Sequence, residues 1–267
     1  MNRSFTDPDL RGRTALVTGG GTGIGRAVAL ALAERGADVW ITGRRAAPLE
    51  DCAAQYVGND DDREALGGSV RWRVLDATDS EATEALAKEI RSDHGSLHIL
   101  VNNAAILGPT GPLSSIDPGD VKAVWDINIH GLYSTTAIML PLLREASAAG
   151  LAGACVINVS SGVGRQGRAG WGPYAASKFA VEGLTQCWAD ELATEGIAVN
   201  ALNPGATATT MRAEAKPDED PATLPKPEDV VPAFLFLLSS EAADRGVSGL
   251  SIDARDFSLP KGRVSQP

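Results

Sequence analysis

Arg13-Thr14-Ala15-Leu16-Val17-Thr18-Gly19-Gly20-Gly21-Thr22-Gly23-Ile24-Gly25 is the stretch that decides the fold. The apolar run at its start predicts a buried first strand. A glycine turn follows and opens a helix. Ile24, Val28 and Leu32 recur at i, i+4 and i+8, which puts one apolar face on a sheet, and Gly36 caps the helix end. Strand, glycine turn and helix together are the setting of a dinucleotide-binding loop. Glycines let the backbone approach a pyrophosphate, and the helix N-terminus offers N–H donors and a partial positive charge. The spacing is G-x-x-x-G-x-G; no register places glycine at i, i+2 and i+5.

Working outward, Asp38 to Thr42 predicts strand two. An acid at its end would hold a ribose 2′-hydroxyl, as in folds that use NAD. Here Gly43 stands at that place, followed by Arg44 and Arg45. A guanidinium suits a 2′-phosphate through paired N–H donors, so the stretch points to NADP, with NAD possible. Alternation along an extended chain turns Arg45 away from Arg44. Thr22, in the glycine turn, has a hydroxyl to donate to the same phosphate.

The rest repeats the pattern. A helix over 46–57 and a solvated acidic loop at 59–62 precede strand three, Val70 to Leu75, which ends at Asp76. A helix over 80–93, strand four over 97–101 and a long helical stretch over 117–147 follow. That stretch contains Asn128 and is interrupted by Gly131 and Pro141. Strand five spans 154–159, a helix 173–195, strand six 197–202, a helix 228–239 and a short strand 250–252. Strands alternating with helices predict right-handed crossovers and an α/β fold with a doubly wound parallel sheet, a Rossmann fold, in one domain over 1–267. Residues 1–12 read as a frayed arm. Residues 206–227 are polar and proline-bearing, and read as a mobile lid.

Tyr174-Ala175-Ala176-Ser177-Lys178 supplies chemistry. Four residues apart, Tyr174 and Lys178 stack on one helix face. A free phenol has a pKa of about 10, and a nearby ammonium lowers it, at about 1.4 kcal/mol per unit. The pair therefore reads as a tuned general acid/base or, taken alone, as an ordinary exposed helix pair. Upstream, Val156 to Ser161 reads as a buried strand with hydroxyls at its carboxyl end, placed to polarise a substrate oxygen.

The chain has 267 residues, 43% apolar and 22% charged, with a net charge of −10. This suits a single domain with a sizeable core and argues against nucleic acid or an anionic membrane as partners. The three cysteines (Cys52, Cys155, Cys187) are scattered, and His94, His98 and His130 have no metal-ligand spacing with them. No disulfide framework or metal site is expected. No run of 18 uncharged apolar residues and no signal-like start is present, so a soluble, cytoplasmic protein is expected.

In register along nearly its whole length, the sequence resembles the short-chain dehydrogenase/reductase family. Thr18-Gly19-Gly20-Gly21-Thr22-Gly23-Ile24-Gly25 is similar to its T-G-x-x-x-G-I-G cofactor loop. Asp76, with Ala77 beside it, sits at the family's adenine-binding Asp. Asn102-Asn103-Ala104-Ala105 resembles N-N-A-G. Asn128 matches the helix Asn of a catalytic tetrad, and Ser161, thirteen residues before Tyr174, the catalytic Ser. Asn203-Pro204-Gly205 with Thr207 and Thr209 resembles the segment that holds the nicotinamide amide.

The resemblance implies an alcohol/carbonyl oxidoreductase. Tyr174 would exchange a proton with the substrate oxygen. Lys178 would lower its pKa and hold the nicotinamide ribose, both side chains bordering the cofactor. Ser161 would position the carbonyl, and Asn128 would anchor a water linking Lys178 to solvent. It also implies a homo-oligomer, a tetramer or dimer, through the long helices. A sensor or scaffold that binds the dinucleotide without turnover is the alternative. His98 replaces a common Asp, Ala105 a Gly, and Ile252-Asp253-Ala254-Arg255 departs from V-D-G-G. Ile106, Leu107, Val163 and Trp171 either line a substrate pocket with the lid or pack as core.

Overall fold

Strand β1 (Thr14–Thr18) lies third in a seven-stranded sheet. The structure is a computed structural model that describes residues 5–57, 67–149 and 153–257. The other strands are β2 (Asp38–Gly43), β3 (Ser69–Val74), β4 (Ile99–Asn102), β5 (Ala154–Val159), β6 (Ile197–Asn203) and β7 (Ser251–Asp253). Their order is β3-β2-β1-β4-β5-β6-β7, and every pairing is parallel. The register opposes Leu16 to Trp40 on one side and to Leu100 on the other.

Alternate residues feed two apolar layers, which is why β1, β4 and β5 read as largely apolar runs. Ala15, Val17, Ile41, Val101 and Ile157 pack against α1 (Gly23–Ala33), α2 (Ala46–Val57) and α8 (Pro227–Leu237). Leu16, Trp40, Leu100 and Val156 pack against α3 (Ser80–His94), α5 (Leu132–Ala148) and α6 (Gly172–Glu191). Each such fully buried aliphatic side chain stabilises the fold by about 1.5–3 kcal/mol. The short helices α4 (Pro118–Trp125), α7 (Thr210–Ala215) and α9 (Ser240–Asp244) complete the described set.

Two expectations are corrected. Residues 5–12 are not a frayed arm. Phe5 and Leu10 are buried in the first layer, Arg35 pairs with Asp7, and Leu10 N–H bonds Arg35 O at 2.9 Å. Pro141 does not interrupt its helix, because the buried neighbours Met139, Leu142 and Leu143 hold α5 through it. The break lies earlier, in a π-helical turn over Asp126–Gly131 between α4 and α5. The segment 206–227 carries regular structure: α7 is capped by Thr209, and Arg212 pairs with Glu219. Ala208 N–H bonds Pro225 O at 2.8 Å. The acidic loop 59–62 lies outside the described residues, as does the tail beyond 257.

Candidate active site

The strand order reverses between β1 and β4, and ligands of such sheets bind in the crevice beyond the strand ends there. A cavity of about 720 Å³ lies at these ends. Gly19, Thr22, Gly23 and Ile24 line it. Gly25 stands behind them, and a Cβ there would sit 2.3 Å from Gly19 O and 2.5 Å from Asn103 Nδ2. Only a bare backbone lets α1 start this close to β1. Asn103 Nδ2 donates to Thr18 O at 2.9 Å, and the Thr18 hydroxyl accepts from the Asn103 and Ala104 N–H groups, both at 3.0 Å. The ends of β1 and β4 are thus stapled beneath the turn. Thr22, the N-cap residue of α1, makes no side-chain cap bond, so the first N–H groups of that helix keep no protein cap. Uncapped donors beside side-chain-free backbone fit the pyrophosphate of a dinucleotide.

Gly43, Arg44, Arg45, Asp76 and Ala77 line one end of this cavity. β2 ends at Gly43 and the chain bends at Arg44. Alternation therefore no longer applies, and Arg45 borders the cavity beside Arg44 rather than pointing away. Neither guanidinium has an acid partner among the described residues. Asp76 accepts from Thr78 N–H at 2.9 Å and from its hydroxyl at 2.8 Å. The Thr78 backbone N–H, and after it the hydroxyl and the charge of Arg44, hold its carboxyl below the usual range.

Pro204, Gly205, Thr207 and Thr209 line the wall beyond β6. Gly205 N–H bonds Asn203 Oδ1 at 3.0 Å, which turns the chain out of the strand. Asn103 and Ala104 border the cavity against the glycine turn, with Ile106, Leu107, Val163 and Trp171 on the same lining. Leu107 and Val163 are buried as well as lining, so the two readings of these residues, pocket and core, meet in them.

Ser161, Tyr174 and Lys178 converge on this cavity. Ser161 caps a 3-10 turn, Gly162–Gly164, at the end of β5. A Cβ on Gly164 would sit 2.9 Å from the Lys178 backbone, so that glycine lets the turn lie against α6. Tyr174 occupies the first turn of α6, after Pro173, and Trp125 Nε1 donates to Pro173 O at 3.1 Å. Burial pushes the Tyr174 phenol up to about 12, against a hydrogen bond from Ser161 that lowers it. The expected lowering by Lys178 is not met. Lys178 Nζ lies 5.6 Å from the Tyr174 ring centroid and donates to Val159 O at 2.7 Å. Burial brings the ammonium itself down to about 8, with Glu182 opposing.

Asn128 does not reach the cavity. It sits in the π-helical turn, where its Oδ1 accepts from Ile106 N–H at 2.8 Å. Its Nδ2 donates to Ile106 O at 2.9 Å and to Ser177 Oγ at 3.1 Å. It therefore ties the loop after β4 to α6, one residue from Lys178.

The sequence does not mark the network behind these residues, which is buried at Glu182 and Ser160. Glu182, one turn past Lys178, accepts from Ser160 Oγ at 2.5 Å and Ser251 Oγ at 2.8 Å. Arg165 lies 3.6 Å from Glu182 and bonds Asp253 at 2.9 Å, while Asn203 Nδ2 donates to Asp253 at 2.5 Å. One carboxylate thus links the Ser161 turn, α6 and β7, and reaches the Asn203 segment through Arg165. The i+4 step from Lys178 is the only signal the sequence carries for it. His98, just before β4 at the amino-terminal end of the strands, is buried and accepts from Thr14 N–H at Nδ1, 3.1 Å away. Burial, reinforced by Arg13, lowers its pKa.

Residues 13–220 match the short chain dehydrogenase family. The chain is 38% identical to the uncharacterized oxidoreductase YciK of Escherichia coli (strain K12) over 253 residues, covering 94% of this chain and 95% of that one. It is 34% identical to the 3-oxoacyl-[acyl-carrier-protein] reductase FabG of Thermotoga maritima, over 88% of this chain and 93% of that one. A crystal structure of a short chain dehydrogenase from Shigella flexneri 2a str. 301 complexed with NADP superposes with a TM-score of 0.84 at 38% identity, covering 94% of this chain and all of that one. One from Escherichia coli CFT073 complexed with NADPH gives 0.83 at 37% identity, over 94% and 99%. With its seven-stranded parallel sheet, its glycine turn and this degree of identity, the chain belongs to the short chain dehydrogenase family of oxidoreductases.

Proposed function

We propose that the chain interconverts an alcohol and a ketone or aldehyde with NADP(H). The observation that carries the reading is the convergence of Ser161, Tyr174 and Lys178 on the cavity that the glycine turn also borders. When bound, the dinucleotide supplies or accepts the hydride. The chain's own residues handle the oxygen and its proton. Tyr174, with its pKa pushed up to about 12, holds its proton at neutral pH and gives it to an oxygen on which negative charge develops. Ser161, beside the phenol, turns its hydroxyl hydrogen to the same oxygen and orients it. Lys178, cationic below its pKa of about 8, lies 5.6 Å from the Tyr174 ring and would hold the ribose of the dinucleotide. Asn128 holds Ile106 and Ser177, and with them the wall facing the substrate.

NADP(H) is favoured because Arg44 and Arg45 border the cavity without acid partners, and two relatives are complexed with NADP and NADPH. Tyr174→Phe keeps the ring and removes the proton. It should lower kcat by about 10²–10⁴-fold while cofactor affinity is kept. Retention of more than about a tenth of wild-type turnover would refute Tyr174 as the acid/base.

The working form is proposed to be a homotetramer or dimer in the cytoplasm. Trp125, Tyr133 and Phe179 are exposed on α4, α5 and α6, and Tyr133 stacks on Trp188 at 5.6 Å. Such helix faces suit a helix-on-helix seam. No helix among the described residues is long and apolar enough to cross a membrane. Light scattering should give a mass well above the 27.7 kDa monomer, and a monomer at micromolar concentration would overturn the assembly.

A further inference from the structure

The cavity is cationic in a chain of net charge −10. Arg44, Arg45, Arg168, Lys178, Arg212 and Arg255 line it, against Asp76 as the one lining acid among the described residues. Four of these cations are accounted for. Arg44 and Arg45 stand beside Gly43 and Asp76, where a 2′-phosphate is expected. Lys178 donates to Val159 O, and Arg212 is held by both oxygens of Glu219 at 2.5 and 2.7 Å. Arg168 and Arg255 carry no side-chain hydrogen bond or ion pair among the described residues. The contrast with Arg165, three residues before Arg168, is direct: its guanidinium is spent on Ser251, Ile252 O and Asp253.

Arg168 is anchored close to the reacting end. Arg168 O accepts from Trp171 N–H at 3.1 Å, and the Trp171 ring lies 6.1 Å from the Tyr174 ring, centroid to centroid. Arg255 follows β7 by two residues, just past the Asp253 that Arg165 and Asn203 clamp. The same lining includes Ile106, Leu107, Val163 and Met211, which offer an apolar surface to a carbon skeleton. A guanidinium is weakly hydrated and presents planar paired donors that match a carboxylate. Among the described residues no acid pairs with either guanidinium.

We infer that the substrate is an oxo acid or its hydroxy acid, whose carboxylate is held by Arg168 with Arg255 as the second cation. The inference rests on the proposed carbonyl chemistry and adds the substrate class to it. The test uses levulinate and its longer homologues with the ketone next to the terminal methyl, each beside its methyl ester, in NADPH-dependent reduction. Acid and ester share the ketone and differ only in the charge. At the best chain length kcat/KM should favour the acid by about 10-fold or more, chiefly through KM, and the preference should shrink as salt is raised. Arg168→Ala with Arg255→Ala should bring the acid-to-ester ratio to about one, and Arg168→Lys should restore part of it.

Esters reduced as well as acids at every length would overturn the inference while leaving the oxidoreductase reading intact. So would an acid preference that survives the double variant. If neither acid nor ester is reduced, the carbonyl reading fails. Calorimetric binding of the same compounds to the NADP⁺-loaded protein then decides the inference. Acid binding that is lost in the double variant supports it, and equal binding of acid and ester sinks it.

Discussion

Replacing Arg44 by alanine isolates the contact on which cofactor choice turns. β2 ends at Gly43, and the bend at Arg44 sends both guanidinia to the cavity wall beside Asp76. The Arg44 charge already reaches that position, since it adds to the lowering of the Asp76 carboxyl that the Thr78 backbone N–H begins. A hydrogen bond to a charged group contributes about 1.5–3 kcal/mol. Arg44 is exposed, so solvent screening holds its share near the lower figure. At about 1.4 kcal/mol per decade, Arg44→Ala should cost about 10-fold in kcat/KM for NADPH, with little change for NADH. Arg45, on the same wall, keeps part of the preference, and the double variant should bring the loss toward about 100-fold.

The assay is kcat/KM for NADPH and NADH with one fixed carbonyl substrate, in wild type and both variants. Gly43→Asp supplies the reciprocal. A Cβ there meets Leu49 side-chain carbons no closer than 3.6 Å, so the fold has room for it. Its carboxylate would repel a 2′-phosphate and accept from a 2′-hydroxyl. Equal kcat/KM for the two cofactors in the wild type, or a preference that survives loss of both arginines, would refute the reasoning.

Two further outcomes follow from groups away from the cofactor. His98 has its folded-state pKa lowered from 6.5, so below about pH 6.5 the unfolded chain binds the proton more readily. Stability should be full above that pH and decline as pH falls below it, and His98→Asn, which keeps an acceptor for Thr14 N–H, should flatten that decline in urea titrations. Glu182→Gln keeps the shape of the side chain and removes the charge that opposes the lowering of Lys178. The alkaline limb of the pH–rate profile should move to lower pH with kcat falling more than KM rises, and an unmoved profile would reject the coupling.

The parts of the fold that were legible in the sequence are those where a local pattern and the global topology agree. β5 was read at 154–159, where it stands, because a strand buried on both faces is apolar throughout. Ser161, Tyr174 and Lys178 were legible because fixed spacing on one strand end and one helix face carries them to the same cavity. Asn128 was found, but not its contacts. The i+5 bonding of the turn around it rotates its side chain toward Ile106 and Ser177, and no residue pattern marks a π-helical turn. Residues 5–12 were misread for a different reason. Phe5 and Leu10 are isolated apolar residues in a polar stretch, and only the finished first layer gives them somewhere to pack.

Glu182 marks where reading from sequence stops. In the chain it is one acid on a long helix, indistinguishable from a solvated one. Its meaning comes from Ser160, Arg165 and Ser251, separated from it by 22, 17 and 69 positions, and all brought to it by the parallel order of β5, β6 and β7. Ser160 and Ser161 are adjacent at a strand end, so their side chains diverge. One is fixed by Glu182 and the other faces the Tyr174 phenol. Holding the first fixes the aim of the second. The same carboxylate, one turn from Lys178, opposes the lowering that burial imposes on that ammonium. The departure from V-D-G-G at the closing strand has its physical sense here, because Asp253 is retained and is the residue through which Arg165 grips β7 and Asn203.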